Sequence, residues 1–111
     1  MVKTNSRLRQ DLAKAKYLVS FISLLSEKDE GYQLAAEQMV EAVQSQQGFI
    51  AAYSARNESG VGITNSYWES IEAISKWKAN PNHLKIQAKG KSQWYQWYQL
   101  QVSEIKKNYG G

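Results

Sequence analysis

A single histidine, His83, is the only side chain among these 111 residues whose charge ordinarily changes near neutral pH, and no cysteine accompanies it. Without thiols there are no disulfide frameworks, thiolate zinc sites, iron–sulfur clusters or cysteine nucleophiles, and a reducing cytoplasm suits such a chain. A lone imidazole can serve as general base or proton relay; it can equally be a structural group at the start of a helix. The remaining chemistry belongs to hydroxyls and aromatic surfaces. Gly62, Thr64, Ser66 and Trp68 alternate along one short run, so in a strand they share a face, while Val61, Ile63, Asn65 and Tyr67 share the other. Small side chains beneath helices leave room for a flat ligand, with Trp68 as its floor and Thr64 or Ser66 as hydrogen-bonding partner. The alternative is that Trp68 fills the core and the small residues let helices pack closely. Asn65 has an amide suited to a developing oxyanion, but its parity puts it on the opposite face. Seven of the thirteen aromatic residues lie between Tyr67 and Tyr98. Trp77, Trp94 and Tyr95 among them either line a ligand site or build the core and an interface.

The elements that must position these groups follow from patterning. Tyr17 to Leu25 is rich in β-branched and aromatic residues and apolar on both faces, which predicts a buried strand. Preceded by basic residues, it imitates a signal peptide, but Ser26-Glu27-Lys28-Asp29-Glu30 offers no cleavage site and the run is too short to cross a bilayer. Tyr32, Ala35, Ala36, Met39, Val40 and Val43 trace one stripe of a helix over Gly31 to Gln47, with Asp29 and Glu30 at its start and Gly48 after its end. Phe49 to Arg56 and Val61 to Trp68 read as a β-hairpin around Asn57-Glu58-Ser59-Gly60. Ser70 caps a helix carrying Ile71, Ile74 and Trp77, and Asn80-Pro81 interrupts it. Pro81 suits the first turn of a further helix, expected from about His83 to Tyr98, and Leu100 to Lys106 reads as a closing strand.

The order strand, helix, strand, strand, helix, strand predicts an α+β domain, the ferredoxin-like βαββαβ sandwich with a four-stranded antiparallel sheet. The chain is long enough for one domain, expected over 16–111, behind a basic arm over 1–15. The formal charge of +4 is accounted for by residues 1–16, where Lys3, Arg7, Arg9, Lys14 and Lys16 face only Asp11. Sheets of this kind that bind RNA expose aromatic pairs with basic neighbours, and Val61 to Trp68 contains no lysine or arginine, so no nucleic-acid partner is expected. No membrane partner is expected either. Both helices fall on one side of such a sheet, and the apolar other side is best covered by a second copy, which predicts a homodimer through the sheet face.

Ile63-Thr64-Asn65-Ser66-Tyr67-Trp68-Glu69-Ser70, then Glu72-Ala73-Ile74, Trp77-Lys78, His83, Gln87, Gly90 and Trp94-Tyr95 resemble, in order and spacing, the antibiotic biosynthesis monooxygenase (ABM) domain family of the dimeric α/β-barrel superfamily. Asp29-Glu30-Gly31-Tyr32, Gln47-Gly48-Phe49 and Tyr109-Gly110 fit the same pattern, so the resemblance spans about Tyr17 to Gly110. It implies a dimer with a pocket between sheet and helices in each subunit. It also implies oxygenation of an aromatic or quinone-like molecule by molecular oxygen without metal, flavin or haem. On this reading His83, Trp68 and Thr64 are catalytic candidates, and Ser66, Trp77, Trp94 and Tyr95 bind substrate. His83 matches a position commonly histidine in the family, whereas Asn65 stands where the family is usually apolar. The superfamily also holds haem-binding and haem-degrading proteins, and Trp77 resembles their helix tryptophan. Gln87, however, occupies the ligand position, and the first strand has no asparagine, so haem remains the alternative only if His83 reaches the iron. A non-catalytic small-molecule-binding dimer is equally compatible with the fold.

Overall fold

The computed structural model describes residues 10–27 and 29–111. Its elements are β1 (Tyr17–Leu25), α1 (Tyr32–Gln44), β2 (Phe49–Arg56), β3 (Val61–Trp68), α2 (Ile71–Lys78), α3 (Pro81–Lys89), a π-helical turn (Gly90–Trp94) and β4 (Tyr95–Glu104). The strands form one antiparallel sheet in the order β2-β3-β1-β4, the ferredoxin-like arrangement. Of the expected basic arm, residues 1–9, Leu8 included, lie outside the described residues. Residues 10–13 are helical, and the carbonyls of Leu12 and Ala15 accept bonds of 2.8 and 3.3 Å from Asn108 Nδ2.

Local chemistry sets the helix boundaries. Gly31, at φ +83°, turns the chain into α1, where Tyr32 N–H donates to the carbonyl of Asp29. Ser70 Oγ accepts from Ala73 N–H at 3.1 Å and so satisfies one of the free donors of α2. Asn80 caps α3 in the same way, with Pro81 as the first helical residue.

The core lies at one end of the sheet. Val43 of α1, Trp68 of β3, and Ala73 and Trp77 of α2 form a buried cluster, with Tyr17, Val19, Met39, Phe49 and Ile74 packed around it. On the other side of the sheet Ile63 is 46% exposed, Trp97 47% and Tyr53 37%, so three large apolar groups stand in a layer that no helix among the described residues covers.

The last third departs from the expectation. The helix does not run to Tyr98: α3 ends at Lys89, and the closing strand begins at Tyr95 instead of Leu100. Trp94 is the pivot. Its Nε1 donates to the carbonyl of Glu30 at 2.9 Å, and its own carbonyl accepts from Ser26 N–H at 2.7 Å, which pins the π-helical turn to the end of β1. Tyr95 and Tyr98 share a helical spacing, but a bulge at Leu24/Leu25 lets both reach the same face of a strand, where Phe21 meets both rings. Gly90 is a close-packing point, since a Cβ there would lie 2.9 Å from the Tyr95 ring.

Gly48 joins α1 to the sheet at φ +84°, and a Cβ on it would stand 2.5 Å from the Cβ of Ala73. Positive φ and close approach act together, so Gly48→Ala is expected to destabilise the fold by about 2–3 kcal/mol. Ser70→Ala, which removes only a cap, should cost about 1 kcal/mol. Urea melts with unchanged slope check both, and equal costs would contradict the close approach.

Candidate functional site

Strand register sorts the helix-covered face into rows. Tyr17 lies opposite Trp68, and Trp68 opposite Phe49; Val19 is followed by Ser66 and Ala52, Phe21 by Thr64 and Ser54, and Ser23 by Gly62 and Arg56. On the other side of β1, Val102 pairs with Val19 and Leu100 with Phe21. The two middle rows are poorly covered: Ala52 and Ser54 are exposed, and Leu100 and Val102 are each 45% exposed. The helices therefore cover the middle of this face, around Val19, Phe21, Thr64 and Ser66, only in part, and this stretch is the candidate cleft. Thr64 Oγ1 and Ser54 Oγ share a hydrogen bond of 2.7 Å within it.

One end of this cleft is closed by tryptophan. Trp68 is 1% exposed, meets the edge of Phe49 and donates from Nε1 to Ser66 Oγ at 2.9 Å. Trp77 packs in the same cluster, and the His83 ring stacks on it with centroids 4.8 Å apart. Asn80 fixes His83 in the first turn of α3 by accepting from its N–H at 3.3 Å. Burial holds the imidazole below its ordinary pKa of 6.5, against the backbone carbonyls of Lys78 and Trp77, which favour the charged ring. Nδ1 is buried without a hydrogen bond of good geometry.

The other end is polar. Arg56 Nη2 donates to Tyr32 Oη at 3.1 Å and to Ser23 Oγ at 3.2 Å, while Nη1 donates to the carbonyls of Gly60 and Ser23. The Tyr32 and Tyr95 rings meet edge-on with centroids 5.9 Å apart, and the Tyr95 phenol is pushed well up first by burial, then by Tyr32, against an opposing pull from Arg56. Trp94 is buried and meets Tyr32 edge-on.

The sequence candidates thus separate into two groups. Thr64, Ser66 and Trp68 share the covered face, with Trp77 and His83 at the Trp68 end. Trp94 and Tyr95 sit at the end marked by Ser23, six residues along β1 from Tyr17, or about 20 Å away. Asn65 lies on the uncovered face, where its Oδ1 accepts from Ser20 Oγ at 2.9 Å. Sequence reasoning missed Arg56, Tyr32 and Ser23. The available signal was an arginine closing an otherwise uncharged strand, directly across the hairpin from a glycine. A separate cavity of about 140 Å³ near Gln47, Glu69, Glu72 and Lys76 contains none of the candidates, and Ser70 already caps the helix there.

The single histidine makes its environment measurable. With the folded pKa below 6.5, the unfolded chain binds the proton first, so His83 costs stability as pH falls below 6.5 toward the folded value. The His83 ring proton signal is expected to titrate below 6.5, and His83→Gln should flatten that part of the stability profile. A midpoint at or above 6.5 would contradict the buried stacked ring.

The sequence pattern of antibiotic biosynthesis monooxygenases matches residues 17–89. The uncharacterized protein YqjZ of Bacillus subtilis is 42% identical over 89 residues, which cover 80% of this chain and 78% of that protein. Among solved structures, a variant of SnoaB, a cofactor-independent oxygenase from Streptomyces nogalater, superposes with a TM-score of 0.73 at 9% identity, covering 85% of this chain and 96% of its own. Rv0793 of Mycobacterium tuberculosis does so with a TM-score of 0.76 at 10% identity, covering 86% and 100%. At such identities the structural likenesses speak for the fold alone, and the family assignment rests on the sequence matches. With more than half of its residues matched, the chain belongs to the antibiotic biosynthesis monooxygenase family.

Proposed function

We propose that the chain is a cofactor-independent monooxygenase that binds a flat aromatic or quinone-like molecule in the cleft over Thr64 and Ser66 and oxidises it with molecular oxygen. The observation that carries this reading is the cleft itself: two rows of small or apolar side chains, left open between a tryptophan-closed end and a phenol-lined end. It suits a planar polycyclic ligand, and the family match supplies the reaction class. In the simplest such reaction an anthrone methylene loses two hydrogens and gains one oxygen atom as a carbonyl, while the second oxygen atom leaves as water. Substrate is the reductant and oxygen the oxidant, so the balance requires no other redox partner. The protein's work is to orient the ligand, remove a proton to form the electron-rich anion and exclude water. His83, kept neutral by burial, is the proton acceptor in this reading, with Trp68 as the closing wall, Thr64 and Ser66 as hydroxyl partners, and Trp77, Trp94 and Tyr95 as the aromatic surround.

The working unit is a homodimer. Its support is the uncovered sheet face bearing Tyr53, Ile63 and Trp97, which a second copy would bury. Sedimentation is expected to give a dimer, and Ile63→Lys should shift it to monomer; a wild-type monomer would contradict the arrangement.

The reaction is tested with 1,8-dihydroxyanthrone in metal-chelated, air-saturated buffer. The protein is expected to accelerate quinone formation, with His83→Ala slowing it about 100-fold. Ligand binding without acceleration would leave a binding module, and a Soret band with haemin that disappears in His83→Ala would favour haem chemistry instead.

A further inference from the structure

One polar row crosses the middle of the uncovered sheet face. Strand register places Tyr53, Asn65, Ser20 and Gln101 side by side across β2, β3, β1 and β4. The flanking positions on the two central strands are apolar or aromatic, Leu18 and Ile22 on β1 and Ile63 and Tyr67 on β3. Ser20 is the fourth of nine residues in β1 and Asn65 the fifth of eight in β3, so their contact lies at the centre of the face. Ser20 Oγ donates to Asn65 Oδ1 at 2.9 Å, which fixes the amide and leaves both hydrogens on Nδ2 without an acceptor among the described residues. The Gln101 amide, at the end of the row, is likewise unpartnered there.

Such a face fits a second copy of itself. No lysine, arginine, aspartate or glutamate shares it from Leu18 to Leu24, from Val61 to Tyr67 or from Trp97 to Ser103, so two copies meet without like charges opposed. An amide is also self-complementary, because each copy offers the other both a donor and an open acceptor lone pair. A wholly apolar partner would instead bury the Nδ2 hydrogens unpaired, at the full cost of desolvating them. Packed sheets stay aligned within about 30° of each other, and a twofold axis lying between them beside Ser20 and Asn65 brings row onto row. A slide of one row, about 7 Å along the strands, would set the amide against Ile22 or Ile63.

We propose that Ser20 and Asn65 set the alignment of the homodimer: the twofold axis passes beside them, and each Asn65 amide donates to the polar row of the second copy. This rests on the dimer of the preceding subsection and supplies its specificity. Apolar surfaces alone hold two sheets together in several alignments, whereas a buried amide is satisfied in one of them, at some cost in stability. The same device selects the partner. A chain that presents an apolar sheet without a matching row leaves the amide unpaired, which favours self-association.

Because the chain has no cysteine, a single nitroxide reports the alignment. Attached through Glu41→Cys, exposed on α1 on the opposite side of the sheet, it gives the distance between copies by double electron–electron resonance. The labelled chain with Asn65 intact is expected to show one narrow distance. Asn65→Val should keep the dimer in sedimentation, with equal or greater affinity, and should broaden or split that distance. Asn65→Asp, which opposes two carboxylates beside the axis, should weaken the dimer about tenfold or more, and Gln99→Glu, at the edge of the neighbouring row, should weaken it less. An unchanged narrow distance in Asn65→Val, or equal losses for Asn65→Asp and Gln99→Glu, would overturn the proposal and leave the dimer standing. A monomeric parent chain would overturn both.

Discussion

The burial of Trp68 is the constraint on which the arrangement of the molecule depends. Its indole fills the space between β3, α1 and α2, and the ring nitrogen is satisfied by Ser66 two residues earlier on the same strand, so the group needs no water. The backbone around it is equally committed: its carbonyl accepts from Lys16 N–H, and the next residue, Glu69, donates to Gly48. Val43, Ala73 and Trp77 can close on this indole only because Gly48 lets the turn after α1 come against α2. α1 runs from Tyr32 beside Arg56 at the Ser23 end to Val43 in the Trp68 cluster, and the stretch of sheet over Thr64 and Ser66 is only partly buried beneath the helices.

The same asymmetry divides the chemistry. At the Trp68 end the surroundings are apolar and the imidazole of His83 is held neutral by burial. At the Ser23 end a guanidinium, two phenols and the start of a helix gather, and among the described residues Arg56 forms no ion pair.

The first two-thirds of the fold was legible because local and long-range preferences agree there. β1, β2 and β3 begin and end at the expected residues, and Ser70, Asn80 and Pro81 announce the helices that follow. The last third was not, because Tyr95 and Tyr98 satisfy a helical spacing as well as a strand, and the choice is made by remote partners: Glu30 and Ser26 hold Trp94, and a bulge in the β1–β4 pairing resets the alternation. For the site, the parity of β3 correctly placed Thr64, Ser66 and Trp68 under the helices and Asn65 on the opposite face. Arg56 escaped notice because its importance lies in the residue across the hairpin: without the pairing to Gly62, an arginine at a strand end reads as solvent-facing.

The account turns on a ligand lying between sheet and helices, and amide chemical shifts of the isotopically labelled protein titrated with 2-hydroxyanthraquinone test this most directly. It predicts that the largest changes fall on Phe21, Ser54, Thr64, Ser66 and Leu100, the rows that floor the cleft. Changes centred instead on Ile22, Ile63, Asn65 and Trp97 would place the ligand on the uncovered face and contradict it.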